Sequence, residues 1–262
     1  MPNLDFEERH RERRSESRAQ DKSLEKNHSI KKEDMKERAP EVAERAPEVS
    51  ISLVNSPVTN DLREFSEKTF EHGACQTVKN EKALCRETKP WIKSLDIKEK
   101  LAVLLYTGSL FYRKLNKCLR ENLPMSKTQN FIDRNLNEAL DKSRLPQNMI
   151  LYRRARSIEL GTYCNCSPEE LLGKDVTLQA YSSTSIKPAR KVPGENRDLF
   201  WQIDAPKGTH AAYLKDISLH RREKEVLLPK GTVLKIIGVD ERISKGNKIR
   251  IIHAEIKKED KE

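Results

Sequence analysis

Glu223 and Glu225 stand one residue apart where a short basic loop runs into an apolar strand, His220-Arg221-Arg222-Glu223-Lys224-Glu225-Val226-Leu227-Leu228. Side chains alternate along a strand, so the expectation is that both carboxylates project from one face. Like charges that close raise one another's pKa and need a cation or hydroxyl donors opposite them. Leu151-Tyr152-Arg153-Arg154 and Tyr181-Ser182-Ser183-Thr184-Ser185 offer both kinds of partner upstream. Carboxylates opposed by arginine and hydroxyls are materials for proton transfer and for stabilising developing charge. Each segment alone has an ordinary explanation: a solvated Glu-x-Glu face, a salt-bridged strand edge, a plain Ser-Thr-Ser strand. Their order along the chain is what makes coincidence the poorer account.

Other chemistry-bearing residues point nowhere by themselves. His72, His210 and His253 have no sequence neighbour that suggests a triad or a metal site, so each reads as structural. Cys164-x-Cys166 lacks the second Cys or His pair of a zinc site, and no metal is expected. Cys75, Cys85, Cys118, Cys164 and Cys166 make an odd count, which favours free thiols in a reducing compartment over a complete disulfide framework. There is no Gly-rich phosphate loop, which argues against a dehydrogenase or an NTPase. Trp201, in an apolar strand, reads as core.

The elements that must position these residues divide into helices first and strands second. Leu62, Phe65 and Phe70 suggest a short amphipathic helix, with a loose polar stretch from there to Pro90. Between Ile97 and Leu119, Leu101, Leu104, Leu105, Phe111, Leu115 and Leu119 fall mostly at helical spacing, and Gly108 is a natural break. Phe131-Ile132, Asn135-Leu136 and Ala139-Leu140 repeat every four residues and predict another amphipathic helix, with Pro146 closing the helical half. Runs at Met149–Ala155, Val176–Ser185, Leu199–Asp204, His210–Leu214, Glu225–Leu228, Val233–Val239 and Ile249–Ile256 read as strands. Ser244-Lys245-Gly246-Asn247 supplies a terminal hairpin turn. This order predicts an α+β fold, N-terminal helices followed by a mostly antiparallel core of two packed sheets with a cleft.

The chain has 262 residues, 35% hydrophobic and 35% charged, with net charge +10. Much of the polarity lies in residues 1 to about 60, rich in Arg, Lys, Glu and Ser, which cannot offset ordering entropy by burial and read as a disordered arm. The arm contains a tandem heptad, Glu37-Arg38-Ala39-Pro40-Glu41-Val42-Ala43 and Glu44-Arg45-Ala46-Pro47-Glu48-Val49-Ser50. Pro40 and Pro47 forbid continuous helix and make it a stiffened spacer. No run approaches the roughly 18 to 20 apolar residues that span a bilayer. Met1-Pro2-Asn3-Leu4-Asp5-Phe6-Glu7-Glu8 is not an ordinary secretory signal. Residues 61–262 are read as one catalytic domain.

The ordered trio resembles the arginine-directed mono-ADP-ribosyltransferases, closest to the enzymatic modules of bacterial toxins, over roughly Pro90 to Lys257. Tyr106-Thr107-Gly108, Phe111-Tyr112-Arg113-Lys114-Leu115-Asn116 and Glu225-Val226-Leu227-Leu228-Pro229-Lys230-Gly231 extend the resemblance. It implies NAD as co-substrate, held in a cleft without a metal. Breaking the nicotinamide–ribose bond builds an oxocarbenium-like sugar. The resemblance assigns Glu225 to that ribose, Ser183 to orienting Glu225, and Arg153 to the paired phosphates, with Arg154 adding a contact. Thr184 and Ser185 would shape the strand and pocket, and Tyr112 and Asn116, four apart on one helical face, would meet the dinucleotide. Glu223 would steer and deprotonate an acceptor arginine, and His220, Arg221 and Arg222 would contact the protein substrate. His220 departs from the Tyr or Phe usual there, and adjacent arginines favour an acidic flank.

The resemblance further implies a bacterial toxin or effector acting on a host protein in the cytosol, with actin the leading acceptor by analogy. Water in place of the acceptor would give NAD glycohydrolase activity. Delivery would need a partner subunit, an injection apparatus or synthesis inside the target cell, by a signal-independent route. The rival reading is a basic protein that binds nucleic acid or a membrane surface and carries an idle transferase-like fold. Its charge supports it, but the arm has few aromatic residues for stacking on bases, which makes nucleic acid the weaker partner.

Overall fold

The computed structural model describes residues 70–108, 111–188, 198–244 and 247–257. The charged arm with its tandem repeat, the Leu62 and Phe65 positions and the Lys245-Gly246 pair of the terminal turn lie outside the described residues. Four helices come first: α1 Glu81–Ser94, α2 Ile97–Thr107, α3 Phe111–Glu121 and α4 Lys127–Asp141. The break expected at Gly108 is present, since α2 ends there with the Gly108 N–H donating to Leu104 O at 3.1 Å. Capping boxes start α2 (Asp96 with Glu99) and α4 (Ser126 with Gln129), satisfying backbone N–H groups that a helix start leaves open.

One helix departs from the sequence-based expectation. The stretch read as loose and polar up to Pro90 is largely α1, capped by the Asn80 side chain. Leu84, Thr88 and Trp91, at helical spacing, are its buried residues, and Trp91 Nε1 donates to Ala139 O of α4 at 2.8 Å. Pro90 is exposed, so the bond its missing N–H forfeits is lost on the solvent side, and packing outweighs propensity.

Eight strands follow: β1 Met149–Ala155, β2 Asp175–Thr177, β3 Ser182–Ser185, β4 Leu199–Ala205, β5 Ala212–Tyr213, β6 Glu225–Leu228, β7 Val233–Ser244 and β8 Asn247–Ile256. Between β1 and β2 lie a 3-10 segment, Ser157–Tyr163, and a one-turn helix, α5 Pro168–Leu171. The fold is α+β and mostly antiparallel, with β4–β8 parallel. The expected pair of separate sheets is corrected to one hydrogen-bonded order, β2-β7-β8-β4-β1-β3-β6-β5. The reason is a single residue pair, Tyr152 with Ser185, that joins β1 to β3. So narrow a seam lets the two flanks close over a shared core: Leu151, Trp201, Ile236 and Ile252 from one, Tyr213, Val226 and Leu228 from the other. The run Val176–Ser185 also splits in two, because Leu178 turns its backbone to Gly231 and Thr232 while Tyr181 packs with Tyr106, Leu115 and Leu227 under the helices.

Alternation sends the other side chains of β1, β4 and β8 outward, where residues 70–78 cross them as a strap. Phe70 and Cys75 pack with Ile150, Tyr152, Phe200, Ile249 and Ile251. The Ile150 N–H donates to Gln76 O at 3.1 Å, and the Thr77 and Tyr152 hydroxyls lie 2.8 Å apart. Gly238 at the β7 bulge is required by this strap, since a Cβ there would sit 2.7 Å from the Phe70 ring. Among the described residues, no helix is long and apolar enough to cross a membrane.

Candidate active site

Glu225 opens β6 and is only 6% exposed. The register pairs Ser185 with Glu225 and Ser183 with Leu227, so Ser183 lies diagonally across the β3–β6 ladder from Glu225. The Ser183 side chain stands close enough to the Glu225 carboxylate to favour its charged form. Burial lifts the Glu225 pKa above the ordinary carboxylate value and the nearby Glu223 charge adds to it, while Ser183, His220 and Arg153 oppose the rise. Thr184 is buried and donates to Val226 O at 2.7 Å, fixing the ladder; Ser185 Oγ donates to Glu223 O at 3.2 Å and holds the turn before Glu225.

That turn corrects the first expectation. Glu223 and Glu225 are not successive residues on one face of a strand. Glu223 ends a 3-10 turn, Arg221–Glu223, and Lys224 follows with φ 53° before β6 begins. Strand periodicity therefore does not reach Glu223, which is exposed while Glu225 is buried. His220, Arg221 and Arg222 are exposed beside it. The His220 N–H donates to Ser218 Oγ at 2.9 Å, and the Glu223 N–H to His220 O at 3.0 Å.

Arg153 lies on β1 with its fork already engaged. Nη1 donates to Ser183 O at 2.8 Å, while Nε and Nη2 donate to Glu159 at 3.2 and 2.6 Å. Glu159, in the 3-10 segment, carried no sequence signal for this role. It fixes the guanidinium plane beside the strand that holds Ser183. Arg154 alternates to the other side of β1 and pairs with Phe200 of β4.

Tyr112 and Asn116 share one face of α3 but differ in burial. Tyr112 is half-buried, edge-on to Tyr106 at 6.4 Å, and its hydroxyl accepts from Arg113 Nε at 3.0 Å. Asn116 is buried, and its Nδ2 donates to Tyr106 Oη and to Tyr181 O, both at 3.0 Å. Its Oδ1 is buried without a hydrogen bond among the described residues. Asn116 thus ties the helices to the backbone just before β3. Tyr106, to which the resemblance assigns no role, joins the site from α2. Burial pushes its phenol pKa up, the Asn116 hydrogen bond opposes this, and the Glu225 charge raises it further.

A second carboxylate without a sequence signal steadies the turn. Glu81, at the start of α1, accepts from Lys215, Lys224 and the Tyr213 hydroxyl, so it anchors the left-handed residue between the two glutamates. Burial would raise its pKa, but the two lysine hydrogen bonds and charges outweigh that and bring it from 4.5 to about 2. A carboxylate depressed on folding stabilises the protein above its unfolded value and loses this as pH falls through the folded one. Glu81→Gln is expected to cost about 2–3 kcal/mol at pH 7, with the gap to wild type narrowing from pH 4.5 to about 2. Urea unfolding of both proteins across that range checks it; a gap independent of pH would sink the account.

Residues 85–259 match the family model described as ADP-ribosyltransferase exoenzyme. The structure resembles an ADP-ribosyltransferase from Clostridium botulinum, with 25% identity and a TM-score of 0.57 over 70% of this chain and 99% of that one. It resembles C3larvin toxin, an ADP-ribosyltransferase from Paenibacillus larvae, at 28% identity and TM-score 0.51 over 66% and 94%. It also shares its fold with BECa, an ADP-ribosylating toxin of a binary enterotoxin of C. perfringens solved with NADH, at 24% identity and TM-score 0.59 over 70% and 50%. No curated protein matches the chain.

Proposed function

Because this chain belongs to the ADP-ribosyltransferase exoenzyme family, we propose that it uses NAD to transfer ADP-ribose to an arginine of a host protein. The observation that carries this reading is the buried Glu225 carboxylate beside the Ser183 side chain, with the Ser183 carbonyl bound in turn by Arg153. The NADH bound in the related BECa toxin supports the choice of co-substrate. In this proposal Glu225 hydrogen-bonds a ribose hydroxyl and stabilises positive charge as the nicotinamide bond lengthens. The electron pair of that bond leaves with nicotinamide. Arg153 binds the paired phosphates and Tyr112 lines the nicotinamide side, whereas Arg154, on the opposite side of β1, is left out of that contact. Asn116 and Tyr106 act by holding the backbone before Ser183. Water as acceptor would give NAD glycohydrolase activity.

Glu223, exposed on the turn, would receive the acceptor guanidinium and take its proton as the nitrogen attacks. His220, Arg221 and Arg222 would meet an acidic flank of the acceptor, and actin is the leading acceptor by family analogy. The test combines labelled NAD, host lysate and the Glu223→Gln protein. Expected is a discrete labelled band with wild type, at least about tenfold less label with Glu223→Gln, and near-normal NAD hydrolysis in both. Full labelling by Glu223→Gln would remove the arginine assignment. A folded wild type with no NAD turnover would hand the case to the basic binding protein.

A further inference from the structure

Three residues far apart in sequence converge beneath the strap, away from the groups placed around Glu225. The parallel β4–β8 pair sets Gln202 against His253 and Asp204 against Glu255. Trp201 and Ile203 face the core, so Gln202 and Asp204 face the strap. His72 of the strap completes the group: its Nδ1 lies 2.7 Å from Asp204 Oδ1, and His253 Nε2 lies 2.9 Å from Asp204 Oδ2. One ligand atom from each residue lies within 4.8 Å of the others. The side chains are 9%, 12% and 4% exposed for His72, Asp204 and His253, dry enough to strengthen coordination.

We propose that His72, Asp204 and His253 form a zinc-class divalent metal site that clasps the strap to the sheet. Two imidazoles and one carboxylate with a water in the fourth position is a donor set zinc accepts, and it is too nitrogen-rich for calcium or magnesium. Bonds of about 2.0–2.1 Å in a tetrahedron put donors roughly 3.3 Å apart, so the two imidazole nitrogens, now on different oxygens of Asp204 and with the ligand atoms within 4.8 Å of one another, must draw back from the carboxylate by about half an ångström and converge on one of its oxygens. The metal takes the place of the protons now shared between imidazoles and carboxylate. A second, independent feature is Gln202, whose Oε1 lies 2.9 Å from His72 Nε2. A partner on the far nitrogen fixes the ring and leaves Nδ1 for the metal, as metal-bound histidines characteristically require. The Phe70 ring stacks 5.1 Å from His253 and walls the site on one side.

The test uses the full chain, stripped with chelator and dialysed against zinc alone, with metal content, thermal midpoint and the cobalt(II) spectrum as readouts. Expected is one zinc per chain, a higher midpoint on loading, and a cobalt spectrum without a thiolate band, which separates this site from Cys164 and Cys166. His253→Gln should weaken zinc binding at least about tenfold. His72→Gln, which leaves the β4–β8 pair intact, should do the same and keeps the test open should His253→Gln fail to fold. Folded wild type without zinc, a thiolate band, or undiminished binding by His72→Gln would overturn the proposal. None of these readouts depends on NAD turnover, so the outcome is separate from that of the proposed function.

Discussion

Glu225→Gln is expected to lower ADP-ribosyl transfer and NAD hydrolysis by about a thousandfold while leaving the protein more stable than wild type, not less. The amide keeps the size and can still meet Ser183, but it carries no charge to balance a developing oxocarbenium. The stability gain follows from burial. A glutamate whose folded pKa is raised binds more protons folded than unfolded, so it weakens the protein as pH rises from 4.5 through the folded value. At pH 7 the wild type bears that cost and the amide does not. A higher urea midpoint for Glu225→Gln at pH 7, shrinking below pH 4.5, together with lost turnover, would establish both halves. Equal stability at both pH values would show that Glu225 is better solvated than its 6% exposure indicates.

Arg153→Lys is the second large effect, expected to raise KM for NAD roughly ten- to a hundredfold with a smaller change in kcat. Lysine keeps the charge and loses the fork. One ammonium cannot hold Ser183 O and both Glu159 oxygens in one plane, so the strand carrying Ser183 loses a brace along with the phosphate contact. Glu159→Gln separates the two roles: it leaves the guanidinium but weakens its orientation, and should raise KM less than Arg153→Lys does. Calorimetric NAD binding alongside steady-state kinetics reads both. An unchanged KM in Arg153→Lys would remove Arg153 from the phosphate site.

Much of the fold was legible because its signals are local. The four-residue repeat from Phe131 to Leu140 is α4, and the apolar run 226–228 with Glu225 at its head is β6. What was misread involved competition between local and distant forces. The polar composition of the stretch up to Pro90 reads as loose chain, yet Leu84 and Trp91 stabilise a helix there through contacts with distant residues. Strand alternation was extended to Glu223, where a left-handed Lys224, anchored to Glu81 some 143 residues away, breaks it.

By itself the sequence determined most of the element types, the ordered Arg, Ser-Thr-Ser and Glu-x-Glu segments, and the family they resemble, since these depend on residue identity and short spacing. Only the tertiary structure decided that Glu225 is buried and Glu223 exposed, that Glu159 clamps Arg153, and that His72 and His253 meet on Asp204. These outcomes depend on strand register and on which segment crosses which face. Both are set by burying the whole core at once, and no short window of sequence contains that information.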